Sequence, residues 1–191
     1  MRKVFWMGCF SLLLLFLAGC TEIVSATREE PIQPDPQKTS LGTDLNDFQM
    51  ETAIGVNIKK ASPELDAAHV NVNAYNGVVL LTGEVPSNEI RALAGDTARK
   101  YRGVRLVHNE LVVEGNSSFL SRTNDNWLAT KLRTKLIADE NVRSSIIKIV
   151  VEGGSVYLMG IVDRQSGDTA ARIASNTGGV KRVVKLFEYP E

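Results

Sequence analysis

The chain says nearly the same thing twice, so a fold for it must be assembled from two like halves. The first copy is carried by residues Val70 to Val85 and the second by Ile147 to Val162. In that register Gly77 meets Gly154, Val79 meets Val156, Leu81 meets Leu158, Gly83 meets Gly160 and Val85 meets Val162. After a one-residue shift, Ala94 meets Ala170, Ala98 meets Ala174, Gly103-Val104 meets Gly179-Val180 and Val107 meets Val183. A repeat this long means two similar domains in tandem, not a solenoid of short units.

Each copy has a readable local order. An amphipathic helical stretch comes first, over about Asn46 to Lys60 and Asp125 to Asp139. Two β-rich runs follow, joined by Asn76-Gly77 or Gly153-Gly154, residues that accept the positive φ values of a tight hairpin turn. A second helix then carries alanines at helical spacing, which suits close packing of helix on sheet. Gly103 or Gly179 is expected to end that helix before a last strand. The order α-β-β-α-β predicts an α/β (α+β) fold, with two helices on one face of a small three-stranded mixed sheet in each copy.

The other constraint lies at the start of the chain. Arg2 and Lys3 precede an apolar run from Val4 to Leu17, too short to span a bilayer comfortably, and Leu17-Ala18-Gly19-Cys20 follows. This resembles the lipobox of bacterial lipoproteins, which implies cleavage before Cys20 and acylation of its thiol. Thr21 after the cysteine implies the outer membrane rather than inner-membrane retention, with the chain facing the periplasm. Residues 21–43, broken by Pro31, Pro34 and Pro36, read as a tether. The expected organisation is a signal peptide at 1–19, a lipidated tether at 20–43, a first domain at 44–114, a linker at 115–122 and a second domain at 123–191.

The glycine turn, the Val-x-Leu-x-Gly strand and the Gly-Val entry to the final strand resemble the BON domain, a small α/β module of bacterial envelope proteins. Two such units behind a lipobox and a proline-containing tether resemble the dual-BON outer-membrane lipoproteins. That resemblance implies a role in envelope integrity, recruitment to the division site and recognition of anionic phospholipid.

A catalytic reading fails on inventory. The two cysteines are Cys9, in the signal, and Cys20, at the lipidation point, so no thiol is left for a disulfide, metal site or nucleophile. His69 and His108 lie in no metal-ligand spacing, and no Gly-x-Ser-x-Gly elbow is present. Asp163 and Asp168 read as turn and helix-start residues. With 22 basic and 22 acidic residues the formal charge is zero, which gives no general field for nucleic acid. No metal and no cofactor beyond the covalent lipid at Cys20 is expected.

One helix stands out. At about 100° per residue, Leu128, Leu132 and Leu136 of the second copy share a core face, with Ala129 beside them. Trp127 falls nearly opposite Leu136. On its side lie Thr130, Lys131, Thr134 and Ala138, with Ile137 on one flank and Lys135 on the other. An indole among lysines suits a membrane interface, where the ring sits at headgroup depth and ammonium groups meet phosphates. The alternatives are packing of Trp127 against the other domain or the Phe119-Leu120 segment, and a protein partner.

The family resemblance favours lipid, and the positions it implies are Trp127, Leu128, Lys131, Arg133, Thr134, Lys135 and Ile137. Of these, Leu128 reads inward on geometry. In the first copy Phe48, Ile54, Val56 and Ile58 read mostly as core, with Lys59 and Lys60 exposed. Copy two is therefore expected to carry the lipid surface and copy one to pack or bind partners. The rival functions are a protein-binding scaffold or assembly factor, a periplasmic chaperone and, remotely, an envelope enzyme.

Overall fold

The computed structural model describes residues 43–114 and 119–190. Cys20, the signal-like segment, the tether and residues 115–118 lie outside the described residues.

The first half runs α1 (Thr43–Ala61), α2 (Pro63–Ala67), β1 (His69–Tyr75), β2 (Val78–Val85), α3 (Asn88–Arg99), β3 (Leu106–Asn109) and β4 (Val112–Val113). The second runs α4 (Phe119–Ile137), a 3-10 turn (Ser144–Ile146), β5 (Lys148–Glu152), β6 (Ser155–Ile161), α5 (Arg164–Ser175) and β7 (Arg182–Glu188). The expected α-β-β-α-β order is present in both, with α2 as an addition in the first. In each half the middle strand is central: β2 pairs antiparallel with β1 and parallel with β3, and β6 does the same with β5 and β7. The first sheet departs from three strands, because the short β4 continues along the same edge of β2 beyond β3.

The hairpins form as their turn residues require. Asn76, Gly77, Gly153 and Gly154 all have positive φ, the backbone of a two-residue turn that matches strand twist. Helix ends differ from expectation. Lys100 and Asn176, not the glycines, close α3 and α5, their N–H groups bonding back to the last carbonyls. Gly103 and Gly179 instead turn the chain toward β3 and β7. Gly55 does not interrupt α1; a methyl there would reach only ordinary contact with Val72.

Alternation along β2 decides how the halves meet. Val79, Leu81 and Val85 join Ile54, Ile58, Ala94 and Ala98 in a core under the helices. Val156, Leu158, Leu132, Leu136, Ala170 and Ala174 form the equivalent core of the second half. The other face of each sheet is also apolar: Val78 and Leu80 pack with Tyr157 and Met159 in a third cluster that spans both halves. Burial on both faces explains why all eight residues of β2 are buried. The two sheets therefore stack back to back, with helices on the outside.

Polar contacts ring this apolar centre and fix its orientation. Lys148, at the start of β5, meets Glu51 and the Ala74 carbonyl at the end of β1, while Glu152, at the end of β5, accepts from Asn71 at 2.7 Å near the start of β1. Arg105 pairs with Glu188, and Arg182 with Glu110 at 2.9 Å. These contacts place β1 over β5 and β3 over β7, each running antiparallel to its counterpart. That arrangement is the one a pseudo-twofold relation between duplicated domains generates.

Candidate functional site

The rotation of α4 about its own axis decides which side chains it shows to solvent, and a buried aspartate sets that rotation. Asp125 accepts the turn amides of Gly153 and Gly154 at 2.8 and 2.9 Å. Asp47 does the same in the first half, taking the amides of Asn76 and Gly77 at 2.6 and 3.2 Å. Each carboxylate pins the start of a helix to its hairpin and satisfies two turn amides, of which the second, Gly77 or Gly154, would otherwise be buried without a partner. The recurrence of an aspartate some 30 residues before each turn glycine was the signal in the sequence, and periodicity reasoning overlooks it.

With Asp125 held inward, Leu132 and Leu136 fill the core and Leu128 is 1% exposed. Leu128 is thus not available to a lipid surface. It lies under the turn after α5, where a methyl at Gly179 would touch it. The opposite face of α4 carries Trp127 at 59% exposure and Ile137 at 66%. Thr130, Thr134, Arg133, Lys135 and Ala138 are exposed as well, and Lys131 is half-buried.

That face presents little unspent polarity. Thr130 and Thr134 donate their hydroxyls back to the carbonyls of Asn126 and Thr130 at 3.0 and 3.1 Å. The Lys131 ammonium lies 4.8 Å from the centre of the Trp127 ring and donates to the Gly178 carbonyl at 3.3 Å. Lys135 donates to Thr177 Oγ1 at 3.1 Å. From Asn126 to Ala138 the helix holds Lys131, Arg133 and Lys135 and no carboxylate. A tryptophan and an isoleucine are thus exposed together among positive charges, a combination suited to an anionic interface. Trp127 is exposed in the packed two-domain arrangement and joins none of its core clusters; the side chains of the Phe119-Leu120 segment lie outside the described residues.

The first half is arranged differently. Ile54, Val56 and Ile58 are buried as expected. Phe48 is not: it is 64% exposed and belongs to no core cluster. Counted at about 100° per residue, Phe48 falls about 160° around α1 from the buried Met50, so its apolar character misleads where its position does not. Lys59 and Lys60 are half-buried rather than exposed.

Of the histidines, His108 sits half-buried on β3, and His69 lies at the domain boundary with Nε2 3.6 Å from Glu152. Asp163 caps α5 by accepting from Ser166 N at 2.8 Å, and Asp168 pairs with Lys185 at 2.9 Å. Among the described residues no cluster of three or more His, Cys, Asp or Glu could hold a metal, and no helix is long and apolar enough to cross a membrane.

Comparison with known proteins gives the same division. The BON domain model matches residues 46–115 and again 124–191. The chain is 34% identical to the outer membrane lipoprotein DolP of Haemophilus influenzae over 92% of its own length and 91% of that protein's. It is 32% identical to a 21 kDa hemolysin of Actinobacillus pleuropneumoniae over 81% of this chain and 79% of that one. Osmotically-inducible protein Y of Escherichia coli is 28% identical across 91% of this chain and 92% of its own.

Proposed function

The chain belongs to the BON-domain family, and from that premise we propose that it is a non-catalytic outer-membrane lipoprotein whose second domain binds anionic phospholipid. Cys20 carries the acyl anchor and holds the protein at the periplasmic face of the membrane, while α4 supplies a second and weaker lipid contact. The observation that carries this reading is the exposed Trp127–Ile137 face with its basic residues and no carboxylate. Similarity to an outer membrane lipoprotein over nearly the whole chain supports the location.

The two contacts do different work. Acyl chains stabilise residence by about 0.8 kcal/mol per buried methylene and are indifferent to headgroup. Basic residues near an anionic surface each add about 1 kcal/mol and respond to lipid composition. The anchor therefore keeps the protein on a membrane, and α4 biases it toward anionic regions, from which enrichment at the division site and support of envelope integrity follow.

The test uses the unlipidated chain from residue 21 to 191, in which Trp127 is the sole tryptophan because the other, Trp6, is removed. Vesicles containing phosphatidylglycerol should shift its emission to the blue and sediment the protein, and zwitterionic vesicles should do neither. Trp127→Glu should abolish sedimentation. If that variant sediments as well as the parent yet loses a co-purifying envelope protein, the scaffold reading replaces this one.

A further inference from the structure

The three most exposed large apolar side chains among the described residues are Ile137, Phe48 and Trp127. Two belong to α4. The third belongs to the other domain, where core packing gives it no role. Exposed apolar groups that gather in one region mark a contact surface more reliably than scattered ones.

Phe48 and α4 meet at one place. A cleft of about 360 Å³ at the domain boundary is lined by Phe48 from α1, Arg133 from α4, and Ser145 and Ile146 from the 3-10 turn. Arg133 lies one helical turn before Ile137, so the cleft opens beside the apolar face already described. The remaining charges around it are spent. Asp47 is bound to the amides of Asn76 and Gly77, and Glu51 to Lys148 and the Ala74 amide. Arg133 makes no hydrogen bond or ion pair among the described residues, which leaves the cleft with one positive charge that is not neutralised. An exposed phenylalanine beside a free guanidinium has the chemistry of α4 in miniature.

We infer that the lipid-binding surface crosses the domain boundary: Arg133 holds a phosphodiester headgroup at the cleft while Phe48 enters the bilayer interface beside Ile137. This rests on the lipid reading of α4 above, and it adds that the first domain touches the membrane. The aromatic has moved by one position between the copies. With Asp47 matched to Asp125, Phe48 corresponds to Asn126 and Trp127 to Gln49. That one-residue offset turns the side chain about 100° around the helix, so the two aromatics sit on different flanks. Engagement of both demands that the sheets remain stacked, which makes lipid binding a reader of the docked two-domain state.

The chain from residue 21 to 191 again serves, with phosphatidylglycerol-containing vesicles. Phe48→Ser should weaken binding about five- to tenfold, with the thermal midpoint unchanged because the side chain is exposed. A direct report comes from moving the fluorophore, using Trp127→Phe with Phe48→Trp. The tryptophan at 48 should shift to the blue on anionic vesicles and be quenched by brominated acyl chains. No shift and no quenching, together with parent-like binding by Phe48→Ser, would overturn the inference while leaving α4 as the lipid contact. Should Trp127→Glu also bind like the parent, both readings fall together.

Discussion

Glu152 shows how much a single residue can depend on the other domain. Its carboxylate accepts from Asn71 at 2.7 Å and Thr82 at 3.3 Å and lies 3.6 Å from His69, all three in the first half. Burial by itself would raise its pKa, but those bonds outweigh the burial and hold the carboxyl below its ordinary value. Glu84, in register with His69 on the adjoining strand, is itself buried. A depressed carboxylate contributes stability above its unfolded value and loses it as pH falls through the folded one. Glu152 should therefore stabilise the docked pair at neutral pH and lose that contribution progressively as pH falls from about 4.3, the ordinary glutamate value, through its lower folded one. Thermal unfolding of the parent and Glu152→Gln across that range should show a gap that closes on acidification. A gap that stays constant would mean the residue acts only by packing. None of this was legible in the sequence, where His69 and Glu152 read as unremarkable strand residues more than 80 positions apart. Gly83 and Gly160 fall between: their recurrence is plain, but its cause is not. A methyl on either would lie 1.9 Å from the His69 carbonyl oxygen or 2.5 Å from that of Ile146, so each marks a close approach of backbone that only the fold reveals.

At the scale of elements, α1 and α4 began as the same helix and now face different surroundings. Helix α1 packs against α2 and α3 as well as β1, and Val56 is fully buried. The second half has a 3-10 turn where the first has α2, and Thr134, the counterpart of Val56, is exposed. The open face of α4 thus arises partly from what does not cover it. Periodicity read the inward face of α4 correctly because Leu128, Leu132 and Leu136 recur every four residues. It could not register the missing cover, which depends on chain outside the helix. The orientation of that face depends on Asp125. Asp125→Ala leaves the buried Gly154 amide without its acceptor and removes that of the more exposed Gly153 amide, so it should destabilise the second domain by about 1–3 kcal/mol. Urea unfolding measures the loss. Hydrogen exchange should locate it in α4 and the β5–β6 turn, with the first domain protected as before.

Across the whole molecule, the duplicated domains use one sheet face for their own cores and the other for each other. The repeat made two domains legible from sequence, and the alternation in Val78 to Leu81 shows apolar residues on both faces of β2. Which second layer covers the outer face could not be read, because pairing of distant sheets leaves no local pattern. Two kinds of contact hold the layers together, and their magnitudes differ. The rim pairs are partly exposed, as with Arg105 and Glu188, and solvent and salt screen such pairs so that each contributes little. Leu80 is fully buried in the shared cluster, and truncating a buried leucine costs about 2–5 kcal/mol. Arg105→Ala should therefore shift urea unfolding only slightly, whereas Leu80→Ala should shift it by several times as much. The same pair of variants tests the shared lipid surface from a distance. Neither residue touches α4, yet Leu80→Ala loosens the stacking that brings Phe48 beside Arg133. At a temperature where the variant remains folded, it should bind anionic vesicles less tightly than Arg105→Ala does. Equal binding by the two would mean that α4 engages lipid without regard to how the sheets are stacked.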